Sequence, residues 1–428
     1  MLTVGSRLTG QAIDVDFLGQ GVIKHEDYVI FVKAMLKDEV ADIEITSLKK
    51  RFAEAKIIQL IKRSPTRKDV DMMFESCDLI HMDDLEQLIW QQKITQDTLK
   101  KIAKIDAHVD ETLTDQRFTH YRNKSVFHPL DTPILNLGLY ALNNERLIRT
   151  DSFILSDLLT NRILTSINRA KINLNHHHLR HVVIRTNENN QALITLVSDQ
   201  KTYPGLEKLL QVLKGIPEVI GVTGNIKHHE RHILSHESYL LYGQATIDLK
   251  LGSWIYPVSD QSFFQVNIPV IKKAYDLIKN NIKKDAYVID AYSGVGSIGY
   301  YIIDQVKHMT FIESNRDAIL MTKMMKDKYQ LDQVSIIEKK VDEALNEVSG
   351  DVLIIDPPRQ GLTPGLLNTI LTQSYNQIFY LSCDVKTLAR DLAVLQEGYT
   401  ITKIVPIRMF PQTTSIETFV MMHKKKRI

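Results

Sequence analysis

The sequence predicts an α/β protein in three parts: a small N-terminal β-barrel, a mixed α/β middle, and a C-terminal parallel sheet wound on both faces. Three observations carry this. The chain has 428 residues, more than one ordinary core accommodates. Short strand-like segments crowd residues 5–63. After Gln261, strand-sized apolar runs alternate with helical ones. The parts are placed at residues 1–63, 64–255 and 256–428.

In the first part Gly19, Gly21 and the turn His25-Glu26-Asp27 separate short strands, of which Tyr28–Val32 is the clearest. Such a scaffold suits an OB-like barrel that binds nucleic acid, with a generic β-module as the alternative. The formal charge of +2 does not itself indicate a nucleic-acid partner, but the cations are unevenly placed. Lys49, Lys50, Arg51, Lys56, Lys62, Arg63, Arg67 and Lys68 are interrupted by Glu54 alone, and Lys424-Lys425-Lys426-Arg427 ends the sequence. Either run reads as an RNA-contacting rim or as a solvated face.

Ser64-Pro65 breaks the last barrel strand, and Leu85 to Ile105 has helical spacing with Gln- and Lys-rich faces, which reads as a linker helix. The middle part holds strand patterns at His181–Arg185 and Leu193–Val197 and a helical one at Leu206–Lys214. His176-His177-His178 reads as a solvated loop, because three adjacent residues on regular backbone cannot all face one ion. No apolar run approaches the roughly 18 residues of a membrane span, and the N-terminus lacks a signal-peptide pattern. Cys77 and Cys383 are the only cysteines and lie far apart, so free thiols and a cytoplasmic home are expected.

Strands are predicted at Tyr287–Asp290, Met309–Glu313, Val334–Ile337, Val352–Asp356 and Ile378–Ser382. Ligands of such sheets sit beyond the carboxyl ends of the strands. That rule gathers the turn Asp290-Ala291-Tyr292-Ser293-Gly294-Val295-Gly296, Glu313, Asp356 and Cys383 at one edge. Glu313 follows the turn by about twenty residues, the place of a carboxylate that accepts from ribose hydroxyls, although it could instead cap the helix beginning near Asn315. Gly294, Gly296 and Gly299 also satisfy the dinucleotide fingerprint. Asp290 would repel a pyrophosphate but suits a cation, which favours S-adenosylmethionine.

Asp356-Pro357-Pro358 holds its acid rigidly at the ligand edge. Related turns that serve amino methylation continue with an aromatic residue, whereas Arg359 follows here, which argues against an exocyclic amine as acceptor. A thiol at the end of the next strand offers another route. Attack of Cys383 on uracil carbon 6 would make carbon 5 nucleophilic enough to take a methyl group, and a base must then remove the carbon 5 proton. Glu417 is the candidate base, with an edge-strand surface carboxylate as its alternative; a buried structural thiol is the alternative for Cys383.

Taken together, Ser262-Phe263-Phe264-Gln265-Val266-Asn267, the Tyr292 turn, Asp356-Pro357-Pro358-Arg359-Gln360-Gly361-Leu362, Ser382-Cys383-Asp384 with Thr387 to Asp391, and Phe410-Pro411 leading to Glu417 resemble the S-adenosylmethionine-dependent RNA uracil-5 methyltransferases. Tyr121-Arg122-Asn123-Lys124 is similar to the family's middle-domain motif. The resemblance implies a Rossmann-like methyltransferase domain in which Gln265, Tyr292, Glu313 and Asp356 contact the cofactor. It further implies Cys383 as nucleophile, Glu417 as base, and Phe263 against a uracil flipped from its stack.

The first part looks like a TRAM domain, the RNA-binding module of many ribosomal-RNA members, so ribosomal RNA is the expected partner. Many of those members hold an iron–sulfur cluster on four cysteines; this chain has only Cys77 there, and no such cluster is expected. Ser293, Ser297, Arg408 and Ser415 depart from the family's common residues and put substrate fit and rate in question. The competing expectations are a catalytically weak RNA-binding or assembly factor, and a cytosine-5 enzyme, which would want a second cysteine near the Pro-Pro turn.

Overall fold

A computed structural model describes residues 2–426 apart from 71, 143–145, 175–177 and 228–231. His176, His177 and Arg427 lie outside the described residues. The N-terminal strands are β1 (Arg7–Gln11), β2 (Asp14–Val15), β3 (Gly21–His25), β4 (Tyr28–Val32), β5 (Val40–Leu48) and β6 (Phe52–Lys62), in the order β1-β5-β6-β4-β3-β2. Period-two alternation in β5 turns Ala41, Ile43 and Ile45 to one side, where they meet Ile23, Ile30 and Ala53 in a common core. The sheet curls far enough that a Cβ on Gly10 of β1 would lie 2.8 Å from Ile23 of β3.

The expected basic rim is only partly free. Lys56 pairs with Glu44 at 3.0 Å, Lys68 with Asp84 at 2.7 Å, and Arg67 with the buried Glu39 at 2.5 Å, while Arg63 pairs with Asp69. Lys49, Lys50, Arg51 and Lys62 are exposed.

Helix α1 (Asp84–Thr98) starts at Asp83, whose carboxylate accepts from Leu85 N at 2.9 Å, and runs on as a π-turn to Ala103. The middle sheet comprises β7 (Lys124–Pro129), β8 (Leu137–Tyr140), β9 (Leu147–Arg149), β10 (Leu179–Thr186), β11 (Ala192–Ser198), β12 (Val219–Ile226) and β13 (Ser238–Gly243). Its order is β13-β12-β11-β10-β7-β8-β9, and α2 (Leu158–Arg169) and α3 (Leu206–Lys214) share its core. Cys77 is buried in that same core, where burial pushes its thiol up to about 11.

A hairpin, β14 (Thr246–Leu251) and β15 (Trp254–Ser259), precedes α4 (Ile268–Asn281). The boundary expected between residues 255 and 256 falls inside β15. Leu249, Leu251, Tyr256 and Val258 pack with α4 in the C-terminal core, so we place the boundary ahead of Thr246.

The C-terminal part then runs β16 (Tyr287–Ala291), α5 (Ser297–Ile302), β17 (His308–Glu313), α6 (Arg316–Lys328), β18 (Val334–Glu338), α7 (Val341–Ala344), β19 (Val352–Ile355), α8 (Pro364–Gln373), β20 (Gln377–Ser382), α9 (Val385–Leu395), β21 (Tyr399–Ile407) and β22 (Glu417–Lys424). The sheet order is β18-β17-β16-β19-β20-β22-β21, with β16 to β20 parallel and β22 antiparallel to both its neighbours. Every residue of β19 and β20 is buried, as expected for strands covered on both faces. The order reverses between β16 and β19, which opens a crevice at their carboxyl ends.

Helix α1 is not a free linker. Trp90 and Ile94 pack with Val385 and Ile416, and Leu99 and Ala103 join the core beneath β22. The chain then follows β21, with Asp110 N donating to Ile404 O and Leu113 N to Pro406 O, both at 2.8 Å. Among the described residues no helix is long and apolar enough to cross a membrane.

Candidate active site

The glycine turn leaves β16 in a left-handed conformation: Tyr292 has φ 59°, Gly294 φ 54° and Gly296 φ 74°. Positive φ at a bulky residue such as Tyr292 is strained and is held here by its surroundings. Glu313, at the end of β17, reaches back to this turn. One carboxylate oxygen accepts from Gly294 N at 2.9 Å and the other from Ser314 N and Asn315 N, each at 2.7 Å. The cap of α6 is Asn315 itself, which accepts from Ala318 N at 3.0 Å, so the capping alternative for Glu313 does not hold.

Asp290 is fully buried and accepts from Gly299 N at 3.0 Å, while its other oxygen has no hydrogen-bond partner among the described residues. Gly299 is required for packing. A Cβ there would lie 2.2 Å from Cε1 and 2.6 Å from Cζ of the buried Phe311 ring. Gly299→Ala is therefore expected to destabilise the protein by about 1–3 kcal/mol. Urea unfolding checks this, an unchanged midpoint being the contrary result.

Parallel register places Asp356 beside Ala291 and Tyr292, since Ala291 pairs with both Ile312 and Ile355. In the antiparallel pair β20–β22, Ser382 lies opposite Thr418, so the next residue on one strand, Cys383, stands beside the preceding residue on the other, Glu417. Glu417 is thus on an interior strand, not an edge. Cys383 is half-buried, not packed away as a structural thiol.

The charges are mutually opposed. Burial raises Asp290 to about 8, with further upward pressure from Asp356 and Glu313. Burial alone raises Asp356 to about 7. Burial and then Asp356 raise Glu417 to about 8, against the pull of Arg359. Burial, then Glu417 and Asp356, raise the Cys383 thiol to about 11, with Arg359 again opposing. A crevice whose acids are pushed up by burial and mutual repulsion gains by admitting a cation, which lowers each of them.

Phe263 and Gln265 lie on the loop between β15 and α4. Phe263 is 75% exposed, whereas Phe264 packs on Tyr256. Asn123 Nδ2 donates to Gln265 O at 3.2 Å, and Asn267 Nδ2 donates to Met409 O at 3.1 Å, so the loop joins the middle part to the segment between β21 and β22 that leads to Glu417. Tyr121 makes a second joint, its hydroxyl donating to Pro411 O at 3.0 Å.

Sequence reasoning missed Gln87 and Gln412, and it missed that Arg408 and Asp391 hold the segments next to Glu417 and Asp356. Gln87 of α1 is fully buried; its Nε2 donates to Gln412 Oε1 at 2.8 Å and its Oε1 accepts from Gln412 N at 3.0 Å. Arg408 is buried too, donating to Gln87 Oε1 and to Thr413 O. Arg408, named above as a departure, is thus held by α1 and the loop before β22. Ser297 is taken up by a hydrogen bond of 2.9 Å with Tyr275. Asp391, inside α9, accepts from Leu362 N at 2.9 Å and Tyr380 Oη at 2.7 Å, which ties the Asp356-Pro357-Pro358 turn to β20. Gln87, Gln91 and Thr95 recur every four positions along α1 and so share one face, which the structure buries.

A model of the tRNA (uracil-5-)-methyltransferase family matches residues 86–425. The chain belongs to that family. Among its relatives are an uncharacterized RNA methyltransferase of Clostridium tetani, 29% identical over 94% of this chain and 93% of that one, and another of Fusobacterium nucleatum, 28% identical over 99% and 97%. The fold is shared with the tRNA (uracil-54, C5)-methyltransferase of Pyrococcus abyssi, solved with S-adenosyl-L-homocysteine: TM-score 0.78, 21% identity, covering 97% of this chain and 100% of that one. The resemblance read from the motifs is therefore the family to which the chain belongs.

Proposed function

We propose that the protein transfers a methyl group from S-adenosylmethionine to carbon 5 of a uridine in RNA through a covalent Cys383–uracil bond. The observation that carries this reading is the pairing of a half-buried thiol with a carboxyl across β20–β22 in a chain of this family. Gln265, Tyr292, Glu313 and Asp356 are assigned to the cofactor, and the unpartnered oxygen of Asp290 fits a site for a positively charged ligand. S-adenosylmethionine supplies an electrophilic methyl group on a cationic sulfur.

In the proposed sequence Cys383 adds through sulfur to uracil carbon 6, and the displaced π electrons leave an enolate that is nucleophilic at carbon 5. Carbon 5 takes the methyl group as the bond from that methyl to the sulfonium sulfur breaks and neutral S-adenosylhomocysteine is left; Glu417 then takes the carbon 5 proton, the carbon 5–carbon 6 double bond re-forms and the thiolate leaves. Methyl has then replaced hydrogen, and Glu417 holds the proton until solvent removes it. Phe263, largely exposed on the loop between β15 and α4, is assigned to the flipped base.

Ribosomal RNA of the large subunit is the proposed substrate, on the likeness of the N-terminal barrel to the TRAM module. The Pyrococcus tRNA enzyme shares the fold over 97% of this chain, so the barrel alone does not separate the two RNAs. The experiment carries both. Ribosomal RNA and transfer RNA substituted with 5-fluorouridine are incubated with protein and cofactor and run on a denaturing gel, because fluorine cannot leave carbon 5 as a proton would. An adduct with ribosomal RNA supports the proposal; an adduct with transfer RNA alone transfers it to that substrate. No adduct with either, despite cofactor binding, favours the non-catalytic reading.

The raised acids give a pH prediction. A bound cation lowers the values of about 7 for Asp356 and about 8 for Asp290 and Glu417, so the complex holds fewer protons than the free protein. Affinity for S-adenosylmethionine should therefore rise with pH, by up to roughly tenfold per unit for each proton released, and level off above the highest of these values. S-adenosylhomocysteine, which lacks the positive sulfur, should show a weaker rise. Calorimetry in two buffers of different ionisation enthalpy measures the protons directly; equal release for the two ligands counts against the cation site.

A further inference from the structure

The turn between β2 and β3 of the N-terminal barrel reaches the reaction crevice. Phe17 and Leu18 at its tip line a cavity of about 200 Å³ together with Cys383, Arg359, Lys386 and Ser415. Both are exposed, Phe17 by 40% and Leu18 by 52%, and the Lys386 ammonium stands 3.1 Å from the centre of the Phe17 ring.

The turn is built to hold that position. Asp16 accepts from Leu18 N at 2.9 Å and Gln20 N at 2.8 Å, and its carbonyl accepts from Trp90 Nε1 of α1 at 3.1 Å. Gly19, at φ 72°, lies so close to the segment before α1 and to the C-terminal part that a Cβ would meet Leu79 of the one at 2.5 Å and Thr414 of the other at 3.0 Å. An apolar aromatic is thus kept solvent-facing at the tip of a fixed turn, beside two cations and next to the nucleophile. A packing role does not require that exposure. A stacking surface for an unpaired base, with the cations placed for its phosphates, does.

We propose that Phe17 and Leu18 form the subsite for the nucleotide adjoining the target uridine in single-stranded RNA, with Lys386 and Arg359 on its backbone. The inference rests on the RNA-methylating reading of the same crevice. It makes the barrel part of the substrate pocket and a determinant of which uridine enters it.

The test is equilibrium binding, by fluorescence anisotropy, of a labelled single-stranded RNA of about 12 nucleotides with one uridine flanked by adenines. Phe17→Ala should weaken binding by about tenfold, the effect of losing one stacked base, and Phe17→Trp should restore it. Removing the base on one side of the uridine should weaken the parent protein equally and abolish the difference between parent and Phe17→Ala. Unchanged affinity of Phe17→Ala, or a loss that persists when either neighbouring base is absent, overturns the subsite. Cofactor affinity and urea midpoint of Phe17→Ala should match the parent, which separates the subsite from a folding role. Because binding is read without turnover, a parent protein that binds this RNA yet forms no adduct with 5-fluorouridine-substituted ribosomal or transfer RNA defeats the catalytic reading and leaves the subsite measurement standing.

Discussion

Cys383→Ala is expected to abolish methyl transfer to RNA, a loss on the order of 10⁶-fold by analogy with deletion of the nucleophile from another covalent enzyme. Carbon 5 of uracil does not attack a methyl donor without addition at carbon 6, so no residual route through the same site remains. The thiol is half-buried and sits among groups that oppose its ionisation, so alanine should cost the fold little. Cofactor affinity and thermal midpoint should stay near those of the parent. A thiol raised to about 11 is a thiolate in only about one molecule in 10⁴ at neutral pH. Burial is the largest cause of that rise, with the Glu417 and Asp356 charges after it, and Arg359 and a bound cation both act in the opposite direction. Cys77→Ala is the matched control, since that thiol lies in the middle core. Methylated nucleoside from the Cys383→Ala protein, measured after complete digestion of the RNA, sinks the covalent mechanism.

Glu417→Gln should have the second largest effect and a different signature. The amide keeps the shape but cannot take the carbon 5 proton, so turnover should fall by about 10²- to 10⁴-fold. Addition and methyl transfer are not impeded; removing the Glu417 charge takes away one of the groups that raise the Cys383 thiol. The methylated base then stays attached to Cys383, and ordinary RNA without fluorine should give a cofactor-dependent adduct on a denaturing gel. Loss of activity with no adduct would give Glu417 a different role, and normal turnover would give the base to another group. In the parent protein, turnover should rise with pH as Glu417 loses its proton, because only the carboxylate can act as base.

Several parts of this architecture were legible in the chain. Tyr28–Val32 and Leu206–Lys214 are found with those bounds, since a β-branched and aromatic run and an apolar helical stripe each specify their own local conformation. The five parallel strands fall within a residue or two of their expected ends, because β16, β19 and β20, buried on both faces, read as continuous apolar runs, and β17 and the edge strand β18 as short runs with β-branched or aromatic residues. The insertion of β22 between β20 and β21 was not legible. Pairing is decided by which strand edges meet, and Glu417 reads as an exposed carboxylate in its own local sequence. Helix α1 was misjudged for a related reason: Gln87 and Gln91 look solvent-facing by type, yet both are buried and each donates to a group more than 300 positions away, Gln87 to Gln412 Oε1 and Gln91 to Ser415 O.

The sequence by itself determined the order of the chemical groups and the strand ends on which they sit, because turn residues and apolar periodicity act over a few neighbouring positions. It also determined the family, through motifs whose side chains must occupy those ends. The tertiary structure alone decided which groups oppose each other and how strongly. Burial and neighbouring charge place the acids at about 7 to 8 and the thiol at about 11, and neither quantity exists until the β16–β22 sheet closes around them. It alone brought Phe17, from the first strands of the chain, to the crevice that holds Cys383, because that approach depends on docking between separate cores and not on any local pattern.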